Sequence, residues 1–330
     1  MKNTKKLFAG LMASTLLLVS GCSSTTSDTT STTTETTADT TTESDNWYTG
    51  PGYDTLYNEL GKADIDLSNA DGLLKEIIEK GVITMATSPD YPPSEFVDLD
   101  GTVKGSDIML GQYIANSLGV ELKVETMDFD AVLTAVDTGK VDMGISGFGY
   151  KEDRAEQFEL SNGYQTSSSA NHHTLLVLAE NVDQYTSLND FDGKTIDAQA
   201  NSLQEMYVTD QLPNSTLQKV TSIDQAILEL QTGKVDAVAL DSTSAKNYAS
   251  TSDGLFKSVY EENGVEFDLS MYADKSGNVV AVKKGETSLI EAINQIIEQM
   301  MSSGKYEDNL YTDMYYAACD AAGVLPEEME

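Results

Sequence analysis

The run Ser146 to Arg154, SGFGYKEDR, follows the short apolar segment VDMGI and holds the only arginine of the chain. Basic residues are scarce here: 20 lysines and arginines stand against 54 acids, a formal net charge of −34. Arginine carries a planar fork that grips a carboxylate bidentately, which lysine cannot copy. Free backbone N–H groups at a helix start add donors for an anion. Gly147 and Gly149 let the backbone approach a ligand with no side chain between them. Together these features describe a cradle for one small anion. The plainer alternative is a solvated helix arginine paired with Glu152 or Asp153.

Such a cradle needs strands and helices to hold it. From Val82 onward, apolar runs alternate with helical periods: VITMAT (82–87), DIMLGQYIANSL (107–118), VELKVET (120–126), FDAVLTAVDTG (129–139) and KVDMGI (140–145). This strand–helix–strand order predicts a mainly parallel sheet flanked by helices. The pattern restarts with TLLVLA (174–179), KTIDAQ (194–199), a helix near 202–211, STLQKV (215–220), a helix over 223–232 and KVDAVAL (234–240). One echo is close: TAVDTGKVDMGIS (134–146) beside LELQTGKVDAVAL (228–240), as expected of two lobes with similar folds or of a common helix–strand connector. A further strand near 279–282 and a helix over 288–304 would return the chain to the first lobe, so two crossings, near 164–173 and 271–278, would form a hinge.

In an open α/β sheet, ligands bind beyond the carboxyl ends of the strands. Those ends carry SPDYPPSEF (88–96), MDFD (127–130), the arginine cradle, ANSLQ (200–204) and Asp241-Ser242. The motifs SPDYPPSEF, DGTVKGSDI, MDFDAVLTAV, VDMGISGFGYKEDR, FELSNGY and TGKVDAVALD resemble, in order, the solute-binding proteins of ABC importers, polar-amino-acid branch. The resemblance spans most of residues 80–305. It implies a two-lobed, type II periplasmic-binding-protein-like α/β fold joined by a two-strand hinge. It also implies capture of an amino acid by lobe closure, delivery to an ABC permease, and no cofactor, metal or catalysis.

Carried over from the family, Arg154 grips the ligand α-carboxylate and Asp241 the α-ammonium. Tyr91 and Phe129 line the pocket, Ser146, Gly147 and Gly149 form the loop around the ligand's backbone atoms, and Ser202 sits in the loop closing over the carboxylate. Each residue also has a plainer reading: Asp241 as a helix N-cap, Tyr91 as a turn aromatic before two prolines, Phe129 as core. The chain departs from the family's usual hydroxyls at Gly147 and Gly149, has Leu203 for a frequent threonine, and has Ser88 where relatives that bind cationic side chains carry an acid. A neutral or polar ligand is therefore favoured, although Asp90 and Glu95 would select a cation if they faced inward. The adjacent His172 and His173 read as hinge surface, since metal binding needs more ligands at suitable spacing. Enzymes on the same scaffold, cyclohexadienyl or arogenate dehydratases, are the alternative, with Glu95 or Asp241 moving the proton; an amino-acid sensor is another.

The ends of the chain address it outside the cell. Residues 1–21 read as a signal peptide, with Lys2, Lys5 and Lys6 before an apolar core too short to span a bilayer permanently. Val19-Ser20-Gly21-Cys22 matches the lipobox of bacterial lipoproteins, which makes Cys22 the lipidated residue. Residues 22–45 follow as a Ser/Thr-rich tether with too little apolar surface to fold, its ends on the order of 25 Å apart. Residues 46–80 are expected to pack on lobe 1, which comprises 81–173 and the returning 276–330, with 174–275 as lobe 2. The expected place is the outer face of the cytoplasmic membrane, the lipid being the only membrane contact. The acidic balance argues against nucleic acid. A monomer is expected, and Cys319, with no second cysteine left for an intramolecular disulfide, reads as a small apolar core residue.

Overall fold

The computed structural model describes residues 48–165, 172–272 and 277–326. The signal peptide, Cys22, the tether and the middle of each crossing segment lie outside the described residues.

Two five-stranded sheets organise the chain, and they share one plan. In the first, the strand order is Glu121–Thr126, Val82–Thr87, Met143–Gly144, Ala281–Lys283 and Phe158–Leu160. Four of the five strands run in one direction, and Ala281–Lys283 lies antiparallel to both its neighbours. In the second, the order is Thr216–Val220, Thr195–Gln199, Ala237–Asp241, His173–Leu178 and Phe256–Ser258, with His173–Leu178 as the antiparallel member. The segment TLLVLA thus enters its sheet from a crossing in the reverse direction, rather than continuing a parallel series. In each sheet the antiparallel strand follows a crossing segment, which brings the chain in from the opposite end.

The repeated Lys-Val-Asp now has a physical reading. Asp142 Oδ2 accepts from Thr84 N (2.7 Å) and Thr84 Oγ1 (2.6 Å), while Asp236 Oδ2 accepts from Thr195 N (2.8 Å). Each aspartate also meets a lysine, Lys80 at 3.5 Å or Lys194 at 3.6 Å. The same acid therefore pins the neighbouring strand in both lobes.

Helices cover both faces of each sheet. The buried seams include Ile83, Met85, Ile114 and Ile293 on one face of the first sheet, and Phe148, Val132 and Ala281 on the other. The second sheet packs Leu175, Ile196 and Phe267 on one side and Leu176, Val238 and Leu230 on the other. The helix Tyr53–Glu59 packs against Leu310–Ala322; Tyr53 OH donates to Gly105 O (3.1 Å), and its ring and Leu56 join the first core. Cys319 is buried. A small antiparallel sheet of Asp90–Tyr91, Glu95–Val97 and Val103–Lys104 stands at the carboxyl end of Val82–Thr87. Among the described residues, no helix is long and apolar enough to cross a membrane.

Candidate ligand-binding cleft

The cavity between the two sheets has a volume of about 990 Å³, at the upper end for ligand pockets. Seven of the nine expected ligand residues line it: Tyr91, Phe129, Ser146, Gly147, Gly149, Arg154 and Ser202. Two do not. Ser88 is buried beside the cavity, its N–H donating to Ser146 Oγ (3.0 Å) and its hydroxyl to Asp90 Oδ1 (3.0 Å). Asp241 caps the helix Ser242–Thr251, accepting from Ser244 N at 2.9 Å, and its other oxygen takes the Tyr91 hydroxyl. The capping reading of Asp241 is therefore realised, and the contact with Tyr91 joins the lobes through it.

Arg154 sits in the short helix Glu152–Gln157 and is only 4% exposed. Its Nη1 donates to Gly149 O, and its Nη2 reaches across to Asn201 O at 3.0 Å. Phe148 lies beneath the guanidinium, 5.0 Å from ring centroid to Cζ, a cation–π arrangement. Among the described residues, no carboxylate lies within ion-pair distance of it. Burial draws its pKa down to about 10, with Asp153 opposing, so it stays charged at neutral pH. A guanidinium has five N–H donors, and two carbonyl oxygens leave part of the fork for an anion. The surface pairing with Glu152 or Asp153 is not formed.

The loop that shapes the cavity depends on its glycines. Gly147 has φ +56°, a left-handed conformation that other residues rarely adopt, and a Cβ there would meet the Tyr91 ring at 3.3 Å. A Cβ on Gly149 would collide with Leu203 of the opposite lobe. Gly149 and Leu203 thus fit each other across the cleft. Ser202 accepts from Glu205 N (3.1 Å) and starts the helix Leu203–Gln211 next to Asn201, whose φ is +66°.

The structure adds residues that the sequence reading set aside. His173 is buried, lines the cavity, meets the Tyr207 ring edge-on and has Gln204 Nε2 at 3.1 Å from Nδ1. Burial draws its imidazole down to about 4, against the pull of Asp241. The expectation of hinge surface holds only for His172, which stacks on Tyr260 and contacts Glu266. Alternation along the strand His173–Leu178 turns one imidazole out and the next in. Tyr311 and Tyr315 of the C-terminal helix also reach the cavity. Glu95 lines it as well, whereas Asp90 crosses to the other lobe, its Oδ2 accepting from Ile223 N (2.9 Å) and Gln199 Nε2 (2.9 Å). Among the described residues, no group of histidine, cysteine and acid side chains could hold a metal.

Residues 83–180 match the family model of bacterial extracellular solute-binding proteins, family 3. The chain is 32% identical to an amino acid ABC transporter substrate-binding protein from Streptococcus pneumoniae, whose structure was solved with L-arginine bound; the match covers 77% of this chain and 99% of that one, with a TM-score of 0.67. It is 27% identical to the arginine-binding extracellular protein ArtP of Bacillus subtilis over 69% of this chain and 84% of that protein. A reconstructed amino-acid-binding ancestor, a precursor of cyclohexadienyl dehydratase, shares 25% identity over 74% of this chain and 98% of that one, with a TM-score of 0.62. The shared two-sheet plan, the cleft at the strand ends and these matches lead to one conclusion: the chain belongs to the bacterial extracellular solute-binding proteins of family 3.

Proposed function

We propose that this protein is an exported receptor that captures an amino acid between its lobes and hands it to an ABC permease. The observation that carries the reading is Arg154: a buried guanidinium with no carboxylate partner among the described residues, facing a cavity between two lobes. An uncompensated buried charge is costly, and a ligand carboxylate removes that cost. The loop Ser146–Gly149 and the Ser202 turn then surround the ligand's backbone atoms, with Tyr91 and Phe129 against its side chain. Asp241 takes the ammonium group as the Tyr91 hydroxyl gives way.

The relatives named for arginine support an amino acid as the ligand class. The lack of an acid at Ser88 keeps a neutral or polar side chain in the reading. Membrane attachment through Cys22 and a monomeric state belong to the same proposal. Binding without turnover is supported by the two acids named for proton transfer: Glu95 is held by Ser146 and Asp107, and Asp241 by a helix cap and Tyr91.

A thermal-shift screen of the standard amino acids, followed by calorimetry of each hit, tests this, because a ligand adds stability by mass action. The expected result is saturable binding with the amino acid recovered unchanged. No shift with any amino acid, together with conversion of prephenate or arogenate, would overturn the receptor reading.

A further inference from the structure

Directly behind the ligand loop lies a dry cluster of acids and phenols. Glu95 is 1% exposed and Asp107 0%. Glu95 Oε1 accepts from Ser146 Oγ (3.0 Å). Asp107 Oδ2 accepts from Gly147 N (2.8 Å) and Tyr164 OH (3.0 Å), and its Oδ1 accepts from Tyr311 OH (3.3 Å). No N–H or O–H donor among the described residues reaches Glu95 Oε2, and the Glu95 and Asp107 carboxyls lie within hydrogen-bonding reach of each other. Two carboxyls facing each other away from water cannot both ionise, so one keeps a proton and donates it to the other.

We propose that Glu95 and Asp107 share one proton, and that this proton positions Ser146 and Gly147, so that amino-acid affinity depends on pH. The inference rests on the receptor reading above. Three phenol and hydroxyl donors already converge on the two Asp107 oxygens and Glu95 Oε1, which marks Asp107 as the ionised member and Glu95 as the proton carrier. Glu95 then steadies Ser146, and Asp107 steadies Gly147, so both contacts to the loop hang on one O–H···O bond. Tyr164, beside one crossing segment, and Tyr311, from the C-terminal helix, tie the same hub to the rest of the lobe. The titratable groups facing the pair are Asp90 and Tyr91 on the small sheet, Tyr164, and Tyr311; no cation is among them. Burial and Asp107 hold the Glu95 carboxyl well above its usual range, and burial pushes Asp107 up to about 6.

The sign follows. The folded protein keeps a proton that the unfolded chain releases near the ordinary glutamate value of about 4.3. The stability it brings is full below that value and falls as pH rises toward the folded pKa of Glu95. When the proton leaves, two buried carboxylates repel, and the loop residues that each one holds are moved apart with them.

Three forms of the protein test this: wild type, Glu95→Gln and Glu95→Ala, each titrated with its best amino acid between pH 6 and 10. A glutamine amide donates to Asp107 at every pH. The expected result is at least tenfold tighter binding by Glu95→Gln than by Glu95→Ala at pH 6.5, and a fall in affinity with rising pH that is steeper in wild type than in Glu95→Gln. Parallel pH profiles for wild type and Glu95→Gln, or equal losses in both variants, would overturn the proposal. Melting temperature against pH without ligand separates this from the receptor reading: a wild-type decline that Glu95→Gln flattens supports the shared proton even if no amino acid binds, and identical declines refute it.

Discussion

Gly149 and Leu203 form a matched pair whose fit is testable one methyl group at a time. Gly149→Ala places a Cβ against Leu203 across the cleft, and overpacking of this kind costs about 1–3 kcal/mol. Ligand affinity should fall about five- to hundredfold by calorimetry, and adding Leu203→Ala should recover most of it, a coupling that a double-mutant cycle reads directly. Equal losses in the single and double variants would show that the two residues act independently. At this scale Arg154 was legible because it is the only arginine and stands past two glycines at a strand end. His173 was not, because two adjacent histidines give no hint of which one the strand turns inward. Asp241 offered two roles, and only coordinates show its oxygens divided between a helix cap and Tyr91.

At the scale of elements, Asp142 and Asp236 do one job in two places. Each pins the backbone of the strand beside its own, Val82–Thr87 or Thr195–Gln199, but Asp142 is better shielded, its side chain 11% exposed against 39% for Asp236. A hydrogen bond to a charged group contributes about 1.5–3 kcal/mol when buried, and solvent weakens it. Urea unfolding should therefore show Asp142→Ala destabilising by about 1.5–3 kcal/mol and Asp236→Ala by less than about 1 kcal/mol. The reverse order would refute the equivalence drawn between the lobes. The repeat TGKVDMG and TGKVDAV announced these strands, since a glycine stop, a polar pair and an apolar run is a local signal. The short strands Asp90–Tyr91, Glu95–Val97 and Phe256–Ser258 left no such trace. Segments of two or three residues are too brief for a period, and their pairing depends on partners far along the chain.

For the molecule as a whole, function depends on how the lobes meet. Asp90 of one lobe accepts from Ile223 N and Gln199 Nε2 of the other, independently of any ligand. Asp90→Ala should shift the population toward the open form, so small-angle scattering without ligand should give a larger radius, and affinity should drop roughly 10–100-fold, corresponding to about 1.5–3 kcal/mol. An unchanged radius and affinity would remove this latch from the account. The two-lobe plan was readable from the restart of the strand–helix pattern, whereas the cross-lobe contacts were not, because nothing local in a sequence says which loops face each other. The most direct measurement of the central claim is calorimetry of wild type and Arg154→Ala with the bound amino acid and with the matching amine that lacks its carboxylate. Wild type should prefer the amino acid by roughly 2–5 kcal/mol, the scale of truncating one partner of a buried ion pair, and Arg154→Ala should lose most of that preference. An Arg154→Ala protein that still tells the two ligands apart as wild type does would contradict the account.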